Sequence, residues 1–234
     1  MKRHLTEAVL IASVCTVMSY VIAYIAEWIP RGQVNWLEVF AVFTSFTCTW
    51  LCVRQRRINY PIGAVSTAAY AILFWQADLL ASAALNAYLT PALIYGWFRW
   101  RKDAQTRPVG LVTAPWWLVY FLVTWGAYFG AVLIFAAFGA VMVWTDAVIL
   151  VGTMVAQFLL DNKKLETWGF WAIVNVFAIY TYAQAGLPLA SLQYVLFLIN
   201  TIIGFIVWKR SYDRVRTADG NAADHGTPAT DPVR

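Results

Sequence analysis

The chain has 234 residues, 61% of them hydrophobic, 17% aromatic and only 12% charged, with a formal net charge of +5. That is too apolar for an ordinary soluble domain, so much of its surface must meet lipid. Both histidines, His4 and His225, lie in the polar termini, and Cys15, Cys48 and Cys52 all lie inside apolar runs; this argues against a histidine-based metal site, a catalytic dyad and a redox disulfide.

Eight apolar segments follow one another, at 6–29, 36–53, 60–77, 80–101, 114–142, 144–160, 166–185 and 188–208. Most approach the ~20 residues needed to cross ~30 Å of hydrocarbon. Pro61, Pro115 and Pro188 stand at or near segment starts, where a missing amide proton costs little. Long Ala- and Leu-rich runs without turn signals predict helices rather than barrel strands. Lys2 and Arg3 precede the first run as in a signal peptide. At ~22 residues that run is too long for a cleaved segment, and it is expected to be retained. From Ser211 onward the sequence is polar, without an apolar period, and predicts a disordered tail.

Charge sets the orientation. With the N-terminus inside, the N-tail, the loops after the second, fourth and sixth segments and the C-tail hold sixteen of the seventeen Lys and Arg residues, leaving only Arg31 outside. This predicts a multi-pass protein with eight spans and both termini cytoplasmic. The basic loops also account for the net charge without nucleic acid as a partner.

A shift of 108 residues lays 36–102 on 144–210 without gaps. Trp36 meets Trp144, Glu38 meets Asp146, Arg56 meets Lys164 and Tyr60 meets Trp168. Gln76-Ala77 meets Gln184-Ala185, Gly96 meets Gly204, and Trp100-Arg101-Lys102 meets Trp208-Lys209-Arg210. The matches fall at segment ends and turns in constant register. They predict two like-facing three-helix bundles, 36–102 and 144–210, joined by a linker helix within 103–143. Residues 1–35 form an extra N-terminal helix and 211–234 the cytoplasmic tail. The linker carries Gly126 and Gly130 at a spacing that lets another helix approach, or that is incidental.

All twelve acidic residues lie near segment ends or in loops and tails. Ion-coupled carriers hold ionisable groups at mid-membrane, so this distribution argues against coupling and against a hydrolytic enzyme, and no cofactor is expected. Neutral polar groups do fall at mid-depth: Thr67, Asn86, Tyr88, Thr90, Thr153, Gln157, Asn175 and Asn200. Trp168, Trp171 and Asn175 share a helical face at i, i+3 and i+7. Two readings stay open for that stripe: a site for a flat polar ligand, or an interface belt with a helix-bonding amide. Taken together these groups predict a neutral hydrogen-bonding site between the bundles, with Trp50, Trp171 and Tyr194 as aromatic walls. Such walls also attract a cationic ring. Glu38 and Asp146, at the outer face, either draw cations to the mouth or complement helix dipoles. Pro91 marks a kink in the fourth helix.

Asn59-Tyr60-Pro61-x-Gly63, Phe74-x-Gln76 and Ile94-Tyr95-Gly96-Trp97-x-x-Trp100 in the first half resemble the PnuC family of vitamin transporters. In the second half so do Trp144-x-Asp146, Trp168-x-x-Trp171-x-x-x-Asn175, Gly186, Tyr194, Gly204 and Trp208. The resemblance implies an all-α membrane protein with a SWEET-like 3+1+3 order behind an extra first helix. It implies a bacterial inner-membrane location and facilitated diffusion of nicotinamide riboside, trapped by a cytosolic kinase. Asn86 and Leu80 depart from the nicotinamide riboside pattern, which keeps thiamine and riboflavin as alternatives. A SWEET-type sugar carrier, a membrane enzyme and a non-transporting structural protein are the rival classes. The expected substrate contacts are Asn175, Gln157, Asn200, Asn86 and Thr67 as hydrogen-bonding groups and Trp168, Trp171, Trp50, Tyr194 and Tyr88 as ring contacts. The lipid bilayer is the other partner, and a homo-oligomer stays open.

Overall fold

A computed structural model describes residues 2–28, 34–76, 80–100, 108–139 and 142–224. Arg31, Arg101, Lys102, Arg107 and Arg234, which entered the charge count, lie outside the described residues. Among those described the chain is all-helical. Its elements are α1 (Lys2–Ile25), α2 (Trp36–Val53), α3 (Asn59–Gln76), α4 (Leu80–Arg99), α5 (Ala114–Ala137), α6 (Val143–Asp161), α7 (Thr167–Gln184) and α8 (Pro188–Asp224). Five of them, α1, α2, α5, α6 and α8, are long and apolar enough to cross a membrane on their own composition. The other three, α3, α4 and α7, have 18, 20 and 18 residues.

Helix ends repeat at the predicted interval. Under the 108-residue shift α3 lies on α7 from first residue to last, α2 and α6 end together, and α4 and α8 begin together. The turns that end α2 and α6 match as well. Gln55 and Lys163 both take left-handed backbone, at φ 53° and 52°. The next amides, of Arg56 and Lys164, reach back to the Leu51 and Leu159 carbonyls at 2.9 Å each. This closes the last turn of each helix and satisfies carbonyls that would otherwise be orphaned. Across the molecule the Lys163 ammonium donates to the Gln55 amide oxygen at 3.3 Å.

In the first half α3 packs on α2 and α4; in the second α7 packs on α6 and α8. The halves meet where α2 touches α8 and where α4 touches α6. Helix α1 lies against α2 and α8, and α5 touches α6 alone. Nothing within the described chain packs on Gly126 or Gly130, whose Cα faces look into open space.

The expected disordered tail from Ser211 is helical as far as Asp224, and residues 225–234 lie outside the described residues. Helix α8 runs on to Asp224, some sixteen residues past the apolar run. Extending an existing helix avoids the nucleation cost. Lys209 and Asp213 form an i,i+4 ion pair at 2.7 Å, and no proline follows until Pro228.

Candidate functional site

All six helices of the two halves enclose one cavity of about 220 Å³, and neither α1 nor α5 lines it. Each helix contributes one face. On α2 Ser45, Cys48, Thr49 and Cys52, at i, i+3, i+4 and i+7, line it together with Glu38 near the helix start; on α7 the lining residues are Trp168, Trp171 and Asn175. Helix α8 contributes Gln193, Tyr194, Phe197, Asn200 and Thr201. Thr67 and Tyr70 come from α3, Asn86 from α4 and Gln157 from α6.

Eight of the ten expected contact residues therefore meet in one chamber: Thr67, Asn86, Gln157, Trp168, Trp171, Asn175, Tyr194 and Asn200. Two do not. Trp50 lies off the lining face of α2, with the Arg54 guanidinium 5.3 Å from its ring centre. It is two positions, or about 200°, from Cys52. Tyr88 is likewise two positions from Asn86, is 43% exposed, and lines a separate groove between α4, α5 and α6. Pro91 lies inside α4, which continues through it as helix.

The polar groups are partly tied to one another. The Asn175 amide donates to the Thr201 hydroxyl at 3.0 Å, which joins α7 to α8. Thr67 and Thr90 share a hydrogen bond of 2.9 Å between α3 and α4. Gln193 donates to the Tyr70 hydroxyl at 2.6 Å, joining the halves near the end where Glu38 also lines the wall. Tyr194 stacks on Tyr182 with ring centres 5.2 Å apart. The Asn86 and Gln157 side-chain amides donate to the Ser82 carbonyl and the Asp161 carboxylate. Helix-bridging bonds and chamber lining are thus held by the same residues. Trp168 differs: its ring is 4% exposed, and its indole N–H has no acceptor among the described residues. A buried donor without a partner is costly.

The opposite end of the chamber is a floor of packed aromatics. Tyr60 seats its ring against Gly96, and Trp168 seats its ring against Gly204; a Cβ on either glycine would overlap the ring. Trp100 meets Tyr60 edge-on at 5.2 Å, as Trp208 meets Trp168 at 5.4 Å. All four rings are buried in one cluster with Val53, Leu93 and Leu160. Beneath it lies Asp161, an acid the sequence places at a segment end. Its carboxylate is only 4% exposed and accepts from the Tyr60 hydroxyl at 2.8 Å and from Gln157 at 2.9 Å. Its carbonyl accepts from the Trp100 indole at 3.0 Å. Sequence spacing could have found the α2 stripe; nothing local to Tyr60 announces its link to a residue 101 positions away.

A ring-lined chamber enclosed by six helices, with Glu38 as the single carboxylate among its described lining residues, suits a membrane carrier. Residues 35–210 match the family described as Nicotinamide mononucleotide transporter, and the chain belongs to that family, the PnuC transporters. It is accordingly a multi-pass bacterial membrane transporter and not an enzyme. The Nicotinamide riboside transporter PnuC of Escherichia coli (strain K12) is 26% identical over 216 residues, covering 78% of this chain and 90% of that one. The Riboflavin/roseoflavin transporter RibM of Streptomyces davaonensis is 26% identical over 144 residues, 56% of this chain and 64% of its own. The crystal structure of the Vitamin B3 transporter PnuC superposes with a TM-score of 0.72 at 25% identity, covering 87% of this chain and 90% of that one.

Proposed function

We propose that the chain is an inner-membrane uniporter that takes up nicotinamide riboside, which a cytosolic kinase then traps. Its two halves act as SWEET-like parallel repeats in a 3+1+3 order behind an extra first helix, with both termini cytoplasmic. One observation carries the choice of cargo. Among the described residues lining the chamber there is no Lys or Arg, and Glu38, at one end, is the sole carboxylate. The family's description names a mononucleotide, whereas the relative from Escherichia coli is named for the riboside. A phosphate dianion taken from water needs cationic partners, and such a chamber offers it none. A riboside brings neutral hydroxyls, an amide and a pyridinium ring. These suit the amide oxygens of Asn175, Asn86 and Gln157, the Trp168 indole N–H and the faces of Trp171 and Tyr194.

Competition for uptake of labelled nicotinamide riboside tests this. Unlabelled riboside is expected to compete, and the mononucleotide is not. Riboflavin is the second reading, favoured by the match to RibM. Competition by riboflavin or thiamine but not by the riboside would replace the cargo and leave the chamber as the site.

A further inference from the structure

Helices α4 and α5 do not pack closely on one another, although both pack against α6. Between them runs a lateral groove of about 810 Å³, which shares no lining residue with the chamber. Most of its length is apolar, walled by Val119 and Val123 of α5 and by Val151 and Phe158 of α6. One end has a different chemistry. Arg99, at the end of α4, and Lys164, in the turn after α6, both line it. Arg99 donates to the Asn162 side-chain oxygen at 3.3 Å, and Lys164 to the Leu111 carbonyl at 2.8 Å. Neither cation is in an ion pair among the described residues, and no carboxylate lines the groove. Glu166, two residues after Lys164, accepts from the Val112 amide at 2.8 Å and faces a neighbouring cleft.

A largely apolar groove with two cations at one mouth, neither in an ion pair among the described residues, complements an amphiphile with an anionic head. We infer that the groove holds an anionic phospholipid, its phosphate between Arg99 and Lys164 and an acyl chain along α5 and α6. A transmembrane helix from a second copy would fill the apolar length but leave both cations unmatched. The bound lipid would bridge α4 to α5, which do not pack closely on one another, and so tie the helix between the halves to the first half.

Native mass spectrometry of the full chain, released from vesicles of phosphatidylcholine mixed with phosphatidylglycerol, tests this. Wild type is expected to retain phosphatidylglycerol preferentially. Arg99→Gln combined with Lys164→Gln is expected to reduce that preference by roughly tenfold or more. Ala127→Phe narrows the groove from α5, keeps both charges, and is expected to lower retention of either lipid. Three results would overturn the inference. They are equal retention of both lipids by wild type, unchanged phosphatidylglycerol retention in both variants, or an Ala127→Phe protein that keeps its lipid but changes oligomeric mass. The last would assign the groove to a second copy. Lipid retention is read without cargo, so an error in the vitamin assignment would not affect it.

Discussion

Trp168 does two things with one side chain. Its ring fills the notch at Gly204, meets Trp208 and lines the chamber, while its buried indole N–H has no partner among the described residues. These roles separate by substitution. Trp168→Phe keeps a ring in the notch but removes the donor, and is expected to weaken cargo binding roughly tenfold with little change in Tm. Isothermal titration beside a thermal melt would show both. Asn175→Leu removes a bond to Thr201 worth ~0.6 kcal/mol in a membrane interior. That is too little to unfold the chain, so uptake is expected to vanish while expression persists; wild-type uptake would remove Asn175 from the site. The face shared by Trp168, Trp171 and Asn175 was legible because three large polar-edged residues at i, i+3 and i+7 admit few alternatives. Trp50 and Tyr88 were misplaced for the converse reason. An isolated aromatic says nothing of which way it points, and both lie about 200° round the helix from a lining residue. Cys48, Thr49 and Ser45 have readable spacing, but small residues serve helix packing as readily as a cavity.

Helices were the most legible level. Apolar length and turn chemistry located all eight, and α2 spans the predicted residues end to end. The end of α8 was not legible, because polarity ends a membrane span without ending a helix. Within elements, glycines differ sharply. Gly96 and Gly204 lie under aromatic rings, whereas Gly126 faces open space. Gly204→Ala is expected to lose about 1–3 kcal/mol through overpacking, read as a lowered Tm. Gly126→Ala is expected to leave Tm unchanged or raise it slightly, since alanine favours helix by up to ~1 kcal/mol. Equal melting temperatures for the two variants would mean that the rings do not depend on their notches.

At the scale of the molecule, two halves in constant register enclose a cavity that neither could form alone. The matched helix ends and turns at a 108-residue interval were visible in the sequence. The links between halves were not, because Tyr60 with Asp161 and Tyr70 with Gln193 are single bonds between distant residues, with no local pattern. The chamber wall, whose single described carboxylate is Glu38 at one end, leads to an energetic expectation. In proteoliposomes with a downhill vitamin gradient, equilibration should proceed at the same rate with and without an uncoupler. A requirement for an imposed proton or sodium gradient would rule out uniport.

The pair formed by Gln55 and Lys163 has a geometric meaning of its own. The two occupy the same place in successive halves, 108 positions apart, and they touch. In a duplicated object, a point can meet its own counterpart only beside the line about which the copies are turned. On the proposed repeat, that line would leave the protein between these two side chains, at the floor side of the chamber. Cargo release in that direction would then be expected to draw the two side chains apart.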